Sequence, residues 1–446
     1  MSKHFRPWNI DQTLLLPPSV QDFVSKDHVS RFIVGLARES LDLRAITGSY
    51  VSGLGQPPFD PRMMVALLLH GYASGLYSSR RIARACCERN DFVMIVALDP
   101  PDFRTISDFR KRHLKALGEL FLQVLKLCET AGLVKLGHVA LDGTKIKANA
   151  SKHKAMSYER MKKREAELKA EVACMLAAAE AADAQEDETF GKDKRGDEMP
   201  DWASDKEKRL AKIQEAMAAL EAEAKLAAEE ERRIEAEKEQ QRNAEGRKKP
   251  GKPAAPPSDQ PDPKAQRNFT DPESRIMKSK EGFVQAYNAQ AAVDADAQII
   301  VAHELTQCGS DHGQLVPLVE AIENNLGRKP QQASADSGYC SEPNLEALVA
   351  RGIDGYVAPG RAKHPAAANG KAGPLTQLMR KKIDDGGFET PYRLRKQVVE
   401  PVFGQIKEAR GFRQFLLRGV EKVRAEWAMI CTTHNLLKLF VLAKAA

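Results

Sequence analysis

The chain predicts an α/β protein preceded by an all-helical section and interrupted by a long helical excursion. Three observations carry this. Residues 1–132 read as helical, with apolar positions at helix spacing between Gly and Ser stops. Residues 133–155 and 268–446 alternate short apolar runs with capped helices, in the order strand, insertion, strand, strand, helix, strand, helix, strand, helix. Between them, two charged stretches carry apolar residues at heptad spacing.

Composition sets limits before any motif does. At 446 residues the chain is too long for one compact core, and 42% hydrophobic residues are enough for two or three structural units. A net charge of +7 favours polyanions on some surface, but weakly, because the middle helices contribute both signs. The 7 cysteines are scattered, with no CxxC pair, which excludes a disulfide framework and a zinc knuckle. No stretch approaches the roughly 20 apolar residues of a spanning helix, and MSKHFRPWNI has no apolar signal core, so a cytoplasmic protein is expected.

In the helical section, PFDPRMMVALLLHGYASG predicts a buried helix stopped by Gly75, and SSRRIARACCERNDFVMIVAL a single amphipathic helix from a Ser cap. In PPDFRTISDFRKRH, Thr105 is expected to cap a helix with Asp108 three residues on, followed by Arg110, Lys111, Arg112 and His113. Such a helix can lay dipole and charge on phosphates; a solvated face on a packed helix explains the same run equally well.

In the second section, Val139–Leu141 reads as a buried strand that Asp142-Gly143 interrupts. The excursion follows. Tyr158, Met161, Leu168, Val172, Met175, Ala179 and Ala182 form one seam; Leu210, Ile213, Met217, Leu220, Ala224, Ala227 and Ile234 form the other. The breaker-rich DAQEDETFGKDKRGDEMPDWAS between them suits a turn, so residues 156–245 predict an antiparallel coiled-coil hairpin, with a dimerising coiled coil as the alternative. Residues 246–267 read as a Pro- and Lys-rich linker. Beyond it, AYNAQAAVD and QIIVAHEL predict a strand pair turning at Asp294 to Ala297. A helix ending at Gly327, a strand ending at Asp336, the capped helix SEPNLEALVARG and a strand in GIDGYVAPG follow. A helix around Glu400, despite Pro401, and an amphipathic terminal helix complete the order.

Three carboxylates stand out. Asp142 and Asp336 are placed at strand ends, each followed within two residues by Gly, and adjacent strands of an α/β sheet bring such residues together. Glu400 lies beside the apolar Val398, Val399 and Val402. Any one of these is ordinary: a turn, a strand exit, a solvated helix Glu. Together they suit phosphodiester chemistry, which two divalent ions about 3.5–4 Å apart promote, and hard ions take carboxylate oxygen. Lys145, Arg395 and Lys407 lie close in sequence, as needed where phosphate approaches a negative cluster. His434-Asn435 reads as a satisfied structural pair, Asp311-His312 as a helix cap, Cys340 as packing, and Tyr339 and Trp427 as core.

LDGTKIKANAS, NFTDPESRIMK with GFVQAYNAQAAVD, ADSGYCSE and YRLRKQVVEPVFGQIKEARGFRQFLLRG resemble, in order, the blocks of insertion-sequence DDE transposases. HFRPWNIDQTLLLPPSVQDFV and PDFRTISDFR are similar to that family's helical N-terminal domain. The resemblance implies a ribonuclease H-like catalytic domain and Asp142, Asp336 and Glu400 as a triad holding two Mg2+ or Mn2+ ions. It also implies double-stranded DNA as partner, a homo-oligomer in the active complex and a bacterial, nucleoid-associated location. Arg104, Arg110, Lys111 and Arg112 are then expected on the element end, and Lys145, Arg395 and Lys407 at the scissile phosphate. One departure stands. The family's third block runs Tyr, two residues, Arg, three residues, Glu, six residues, Lys; here Arg395 is one residue too far from Glu400, and Lys396 holds its place. A nuclease without strand transfer, or a decayed transposase that only binds DNA, are the rival functions.

Overall fold

The computed structural model describes residues 19–50, 57–190, 201–244, 256–279, 282–360, 373–387 and 390–445. The block at residues 4–18, the centre of the excursion's turn and the first half of the linker lie outside these residues, as do the side chains of Met175, Ala179 and Ala182.

Among the described residues seven α-helices come first, after a 3-10 turn at Val20–Phe23: α1 (Val29–Glu39), α2 (Arg44–Thr47), α3 (Pro61–Ala73), α4 (Ser79–Glu88), α5 (Asn90–Val96), α6 (Phe103–Arg112) and α7 (Leu114–Thr130). Pro61 opens α3, where its missing N–H costs nothing, and Asp60 accepts a hydrogen bond from Arg62 N at 2.8 Å. The run expected as one helix is two, because Arg89 takes an extended backbone between α4 and α5. The α6 cap also differs from expectation. Asp102, not Thr105, is the N-cap: its carboxylate accepts from Thr105 N at 2.6 Å, and Thr105 lies inside the helix. A carboxylate there satisfies an orphan N–H and meets the positive end of the helix dipole.

The main sheet is built around β1 (His138–Lys147). The short β2 (Ala155–Ser157) leads into α8 (Tyr158–Phe190) and α9 (Asp201–Ala244), and β3 (Gln266–Asn268) returns to pair with β2. Then come β4 (Arg275–Ser279), β5 (Gly282–Asp294), β6 (Ile300–Thr306), α10 (Leu315–Leu326), β7 (Gln332–Ala335), α11 (Glu342–Ala350) and β8 (Asp354–Val357). The helices α12 (Pro374–Asp385), α13 (Pro391–Gly404) and α14 (Val420–Ala445) follow. On one side of β1 lies antiparallel β5, whose far edge takes β4 along one half and β6 along the other; on the other side lie β7 and β8, both parallel. The strands β2, β3 and β4 had no sequence signal strong enough to predict them.

Asp142-Gly143 does not interrupt β1. The strand stays paired with β5 from Val139↔Asp294 to Lys147↔Ala286. An Asp-Gly step turns only when its backbone groups lack partners, and here β5 supplies them. Gly143 is needed for another reason: it faces Gln290, whose Nε2 lies 2.1 Å from where a Cβ would stand.

The excursion is a pair of antiparallel helices. Tyr158 donates to Glu221 at 2.5 Å, Gln214 to Glu165 at 3.0 Å, and Lys206 pairs with Glu171 at 2.8 Å, a descending series that fixes the direction. Tyr158, Met161 and Leu168 are buried against Ile213, Ala216, Met217 and Leu220. The predicted seam fails further along α9, where Ala227 and Ile234 are exposed. Since α8 begins opposite Glu221, the rest of α9 has no α8 to cover it.

One core joins the N-terminal helices to the sheet, with α14 packed on α7, α3 and β6 and Trp427 fully buried. His434 and Asn435 are structural, as expected. His434 bonds Gln405 Oε1 at 3.0 Å and Gln298 O at 2.9 Å, while the Asn435 side chain bonds Ile300 N and O at 2.9 and 2.8 Å.

His303, on β6 and edge-on to Phe121 at 4.4 Å, is pushed down to about 4 by burial, with Arg424 adding to it. The unfolded chain takes up that proton near pH 6.5 and the folded chain does not. The stability tied to a neutral His303 is therefore full above about pH 6.5 and is lost as pH falls toward 4. His303→Phe is expected to flatten the fall of Tm between pH 6.5 and 4.5 relative to wild type. Parallel melting curves across that window would show that the imidazole protonates freely in the folded chain.

Candidate active site

Asp142 sits mid-strand in β1, and Asp336 is the first residue after β7. The parallel register pairs Ala140 with Ser334, so two residues further on Asp142 and Asp336 stand side by side, at a neighbouring-strand spacing of about 5 Å. Asp336 caps the turn Ser337–Tyr339, accepting from Gly338 N at 2.9 Å. Asp142 accepts from Gly143 N at 2.8 Å through Oδ1 and from Arg395 Nη1 at 3.0 Å through Oδ2. Burial pushes the Asp142 carboxyl up to about 6, Arg395 opposes that, and the charge of Asp336 adds to it.

Helix α13 delivers Arg395 and Glu400 to opposite parts of the site. Arg395, Val398, Val399 and Val402 form its buried face, whereas Glu400 is on the exposed side. Pro401 cannot donate to Gln397 O; that carbonyl instead accepts from Gln298 Nε2 at 3.1 Å. The helix then widens into a π-turn, Gln405–Ala409. From that turn Lys407 Nζ donates to Thr144 Oγ1 and, at 2.9 Å, to Lys145 O, tying the end of α13 to β1. Asp142, Lys145, Lys147, Lys278, Glu400, Lys407 and Arg413 line one open cleft of about 640 Å3.

Of the residues singled out in the sequence, Asp142, Lys145, Glu400 and Lys407 thus share the cleft, Arg395 reaches its floor through Asp142, and Asp336 adjoins Asp142 on the next strand. Arg104, Lys111 and Arg112 are exposed on α6: Arg104 lies over Phe103, Lys111 pairs with Asp108 at 3.4 Å, and Arg112 lies over Tyr50. Arg110 corrects the expectation of a DNA contact. It is buried and donates to Tyr72 Oη at 3.3 Å, Tyr77 O at 2.9 Å and Ser79 Oγ at 3.3 Å, because α6 turns Ile106, Phe109 and Arg110 inward together.

Sequence reasoning missed Asp311. It is not a helix cap: Gln314 holds that position for α10. Its carboxylate accepts from Lys145 Nζ at 3.1 Å, Asn288 Nδ2 at 2.6 Å and Gln290 Nε2 at 2.7 Å. The available signal was Asn288 and Gln290 themselves, polar residues two apart in a largely apolar stretch of strand and therefore on one face. Tyr339 is core, its hydroxyl bonded to Gln290 Oε1, and Trp427 Nε1 donates to Gln290 O at 3.0 Å.

Among the described residues no three His, Cys, Asp or Glu side chains stand together as a metal-holding group. The donor chemistry nevertheless suits a hard cation: two neighbouring carboxylates, one largely buried and raised in pKa, with a guanidinium already against it.

Two family models match the chain. Residues 18–112 match a Transposase domain (DUF772), and residues 363–440 match a Transposase DDE domain, which spans Glu400 and Lys407. No curated protein and no solved structure matches. The chain is thus similar to a transposase domain toward each end. Together they match an insertion-sequence transposase of the DDE class, the family its sequence blocks resemble.

Replacing Arg110 strands three buried acceptors and removes a cation near the buried Glu426. Arg110→Met is expected to lower unfolding free energy by about 2–4 kcal/mol, whereas Arg104→Ala and Lys111→Ala change it by about 0.5 kcal/mol or less. Denaturant unfolding of the three variants checks this, and an equally mild Arg110→Met would return Arg110 to the surface group.

Proposed function

We propose that this chain cuts DNA at insertion-sequence ends and joins the freed 3′-hydroxyl to target DNA by two-metal phosphoryl transfer. The observation that carries it is the pairing of Asp142 on β1 with Asp336 just beyond the end of the parallel β7, beside a lysine-lined cleft, in a chain that matches two transposase domain models. The antiparallel strands on one side of β1 and parallel strands on the other support a ribonuclease H-like reading of residues 133–155 and 268–446. Residues 156–245 are then a helical insertion and 1–132 a DNA-binding domain.

Asp142, Asp336 and Glu400 would hold the divalent ions, magnesium or manganese, with Glu400 approaching from α13. Bound there, such ions polarise the phosphoryl group and supply an activated water or hydroxyl at neutral pH. The chain's own part is placement and charge. Lys147, Lys278 and Arg413 present cations along the cleft for a DNA backbone. Lys407 holds the π-turn against β1 two and three residues beyond Asp142, keeping the helix that bears Glu400 in place against that strand. On α6, Arg104, Lys111 and Arg112 are left to hold the element end.

Asp142→Asn, Asp336→Asn and Glu400→Gln are each expected to abolish cleavage in magnesium while DNA affinity persists, since each keeps shape and loses a ligand charge. Near-native cutting by any one removes that residue from the triad, and undiminished DNA-dependent activity in excess chelator removes the metal reading altogether.

Lys407→Ala is expected to slow single-turnover cleavage at saturating DNA by about tenfold or more, with DNA affinity little changed. An unchanged rate would leave Lys407 a tether of the fold alone.

A further inference from the structure

We propose that Arg395 is the resident counter-cation of Asp142 and sets the site's affinity for divalent metal, because an ion can take Asp142 fully only when the guanidinium leaves it. This rests on the metal-dependent reading above and adds a residue that opposes it.

The argument starts from helix phase. Arg395 is one residue out of step with the family's spacing to Glu400, and one residue on a helix is a rotation of about 100°. That rotation separates two environments. Lys396, four residues before Glu400, lies with it on the exposed side of α13, and Arg395 is turned inward with Val398, Val399 and Val402. The offset therefore places a cation on the buried face against Asp142, while Lys396 keeps one on the exposed side.

On the floor Arg395 meets Asp142. The Nη1–Oδ2 distance is 3.0 Å, and the two side chains are 9% and 21% exposed, so water screens the pair poorly. Asp336 stands at the same level on the next strand, which makes this the place in the sheet that most needs positive charge. Other fastening is weak. Arg395 Nε is buried with no partner, and the one hydrogen bond described for its side chain goes to Asp142. Arg110, whose Nε is likewise buried without a partner, is by contrast spread over three acceptors on other elements. An arginine held chiefly by one carboxylate is exchangeable against a better cation for that carboxylate. A divalent ion carries twice the charge on a smaller radius and takes oxygen donors by preference. The displaced guanidinium, on the floor of a cleft that admits phosphates, is then free to form a bidentate contact with a phosphate oxygen pair.

The test measures Mn2+ binding to the full chain, without DNA, by titration calorimetry. Arg395→Met keeps the apolar stem and removes the charge, and it is expected to bind Mn2+ roughly tenfold more tightly than wild type. Arg395→Lys, which keeps a charge, is expected to stay within about threefold of wild type. The tightening should vanish in the Arg395→Met, Asp142→Asn double variant. Thermal melting checks the fold, and Arg395→Gln replaces the methionine variant if that chain does not melt cooperatively. Equal or weaker Mn2+ affinity in the charge-free variant, or tightening that survives loss of Asp142, overturns the proposal while leaving the metal site standing. Absence of Mn2+ binding by wild type and every variant overturns the metal reading and this inference together.

Discussion

Two carboxylates held at one level of neighbouring parallel strands repel each other where water only partly reaches them. Pairing with β5 fixes Asp142 there, and Asp336 follows directly on β7, which pairs with β1 as far as Ser334. The surroundings answer this with donors and cations. Gly143 N and Arg395 take Asp142, and Gly338 N takes Asp336. One step away Lys145 is bound to Asp311, whose remaining donors come from Asn288 and Gln290 on β5. The sheet thus stores unfavourable electrostatics at its centre, and the side chains around it are those that moderate the strain without neutralising it.

The helix that faces this pair depends on an equally specific repair. Pro401 removes the intrahelical donor to Gln397 O. Gln298, held with positive φ just before β6, donates to that carbonyl while its own groups take His434 and Lys438 from α14. A single residue, through its side chain and its carbonyl, thereby connects the proline break, the edge of the sheet and the terminal helix. Glu400 and Lys407 lie on either side of this break, so their separation depends on the π-turn as well as on residue count.

Much of this architecture was legible in the sequence because its signals are local. The order of strands and helices apart from β2, β3, β4 and α12, the end of β7 just before Asp336, the glycine stop at Gly327 and the antiparallel hairpin follow from periodicity and caps within a dozen residues. What could not be read depends on partners far along the chain. Asp142-Gly143 looks like a turn until β5 supplies its hydrogen bonds. Arg110 looks like one of four surface cations until Tyr72, Tyr77 and Ser79 close over it. Asp311 looks like a cap because its three donors belong to β1 and β5. Even the seam of α9 was overextended for this reason, since only the start of α8 shows where its cover ends.

The pairing of β2 with β3 at the root of the excursion has a consequence for how the chain finds its fold. Lys147 pairs with Ala286, on the order of 140 residues away, so the central strand contact closes a very long loop. Such distant pairing is slow to form from an open chain. Helices α8 and α9 are held together by contacts within the excursion itself, and β2–β3 clasps their bases. Once that has happened, the gap left to close is the short pieces from Ala148 to Lys154 and from Phe269 to Ser274. The excursion thereby converts this distant strand pairing into a nearly local one.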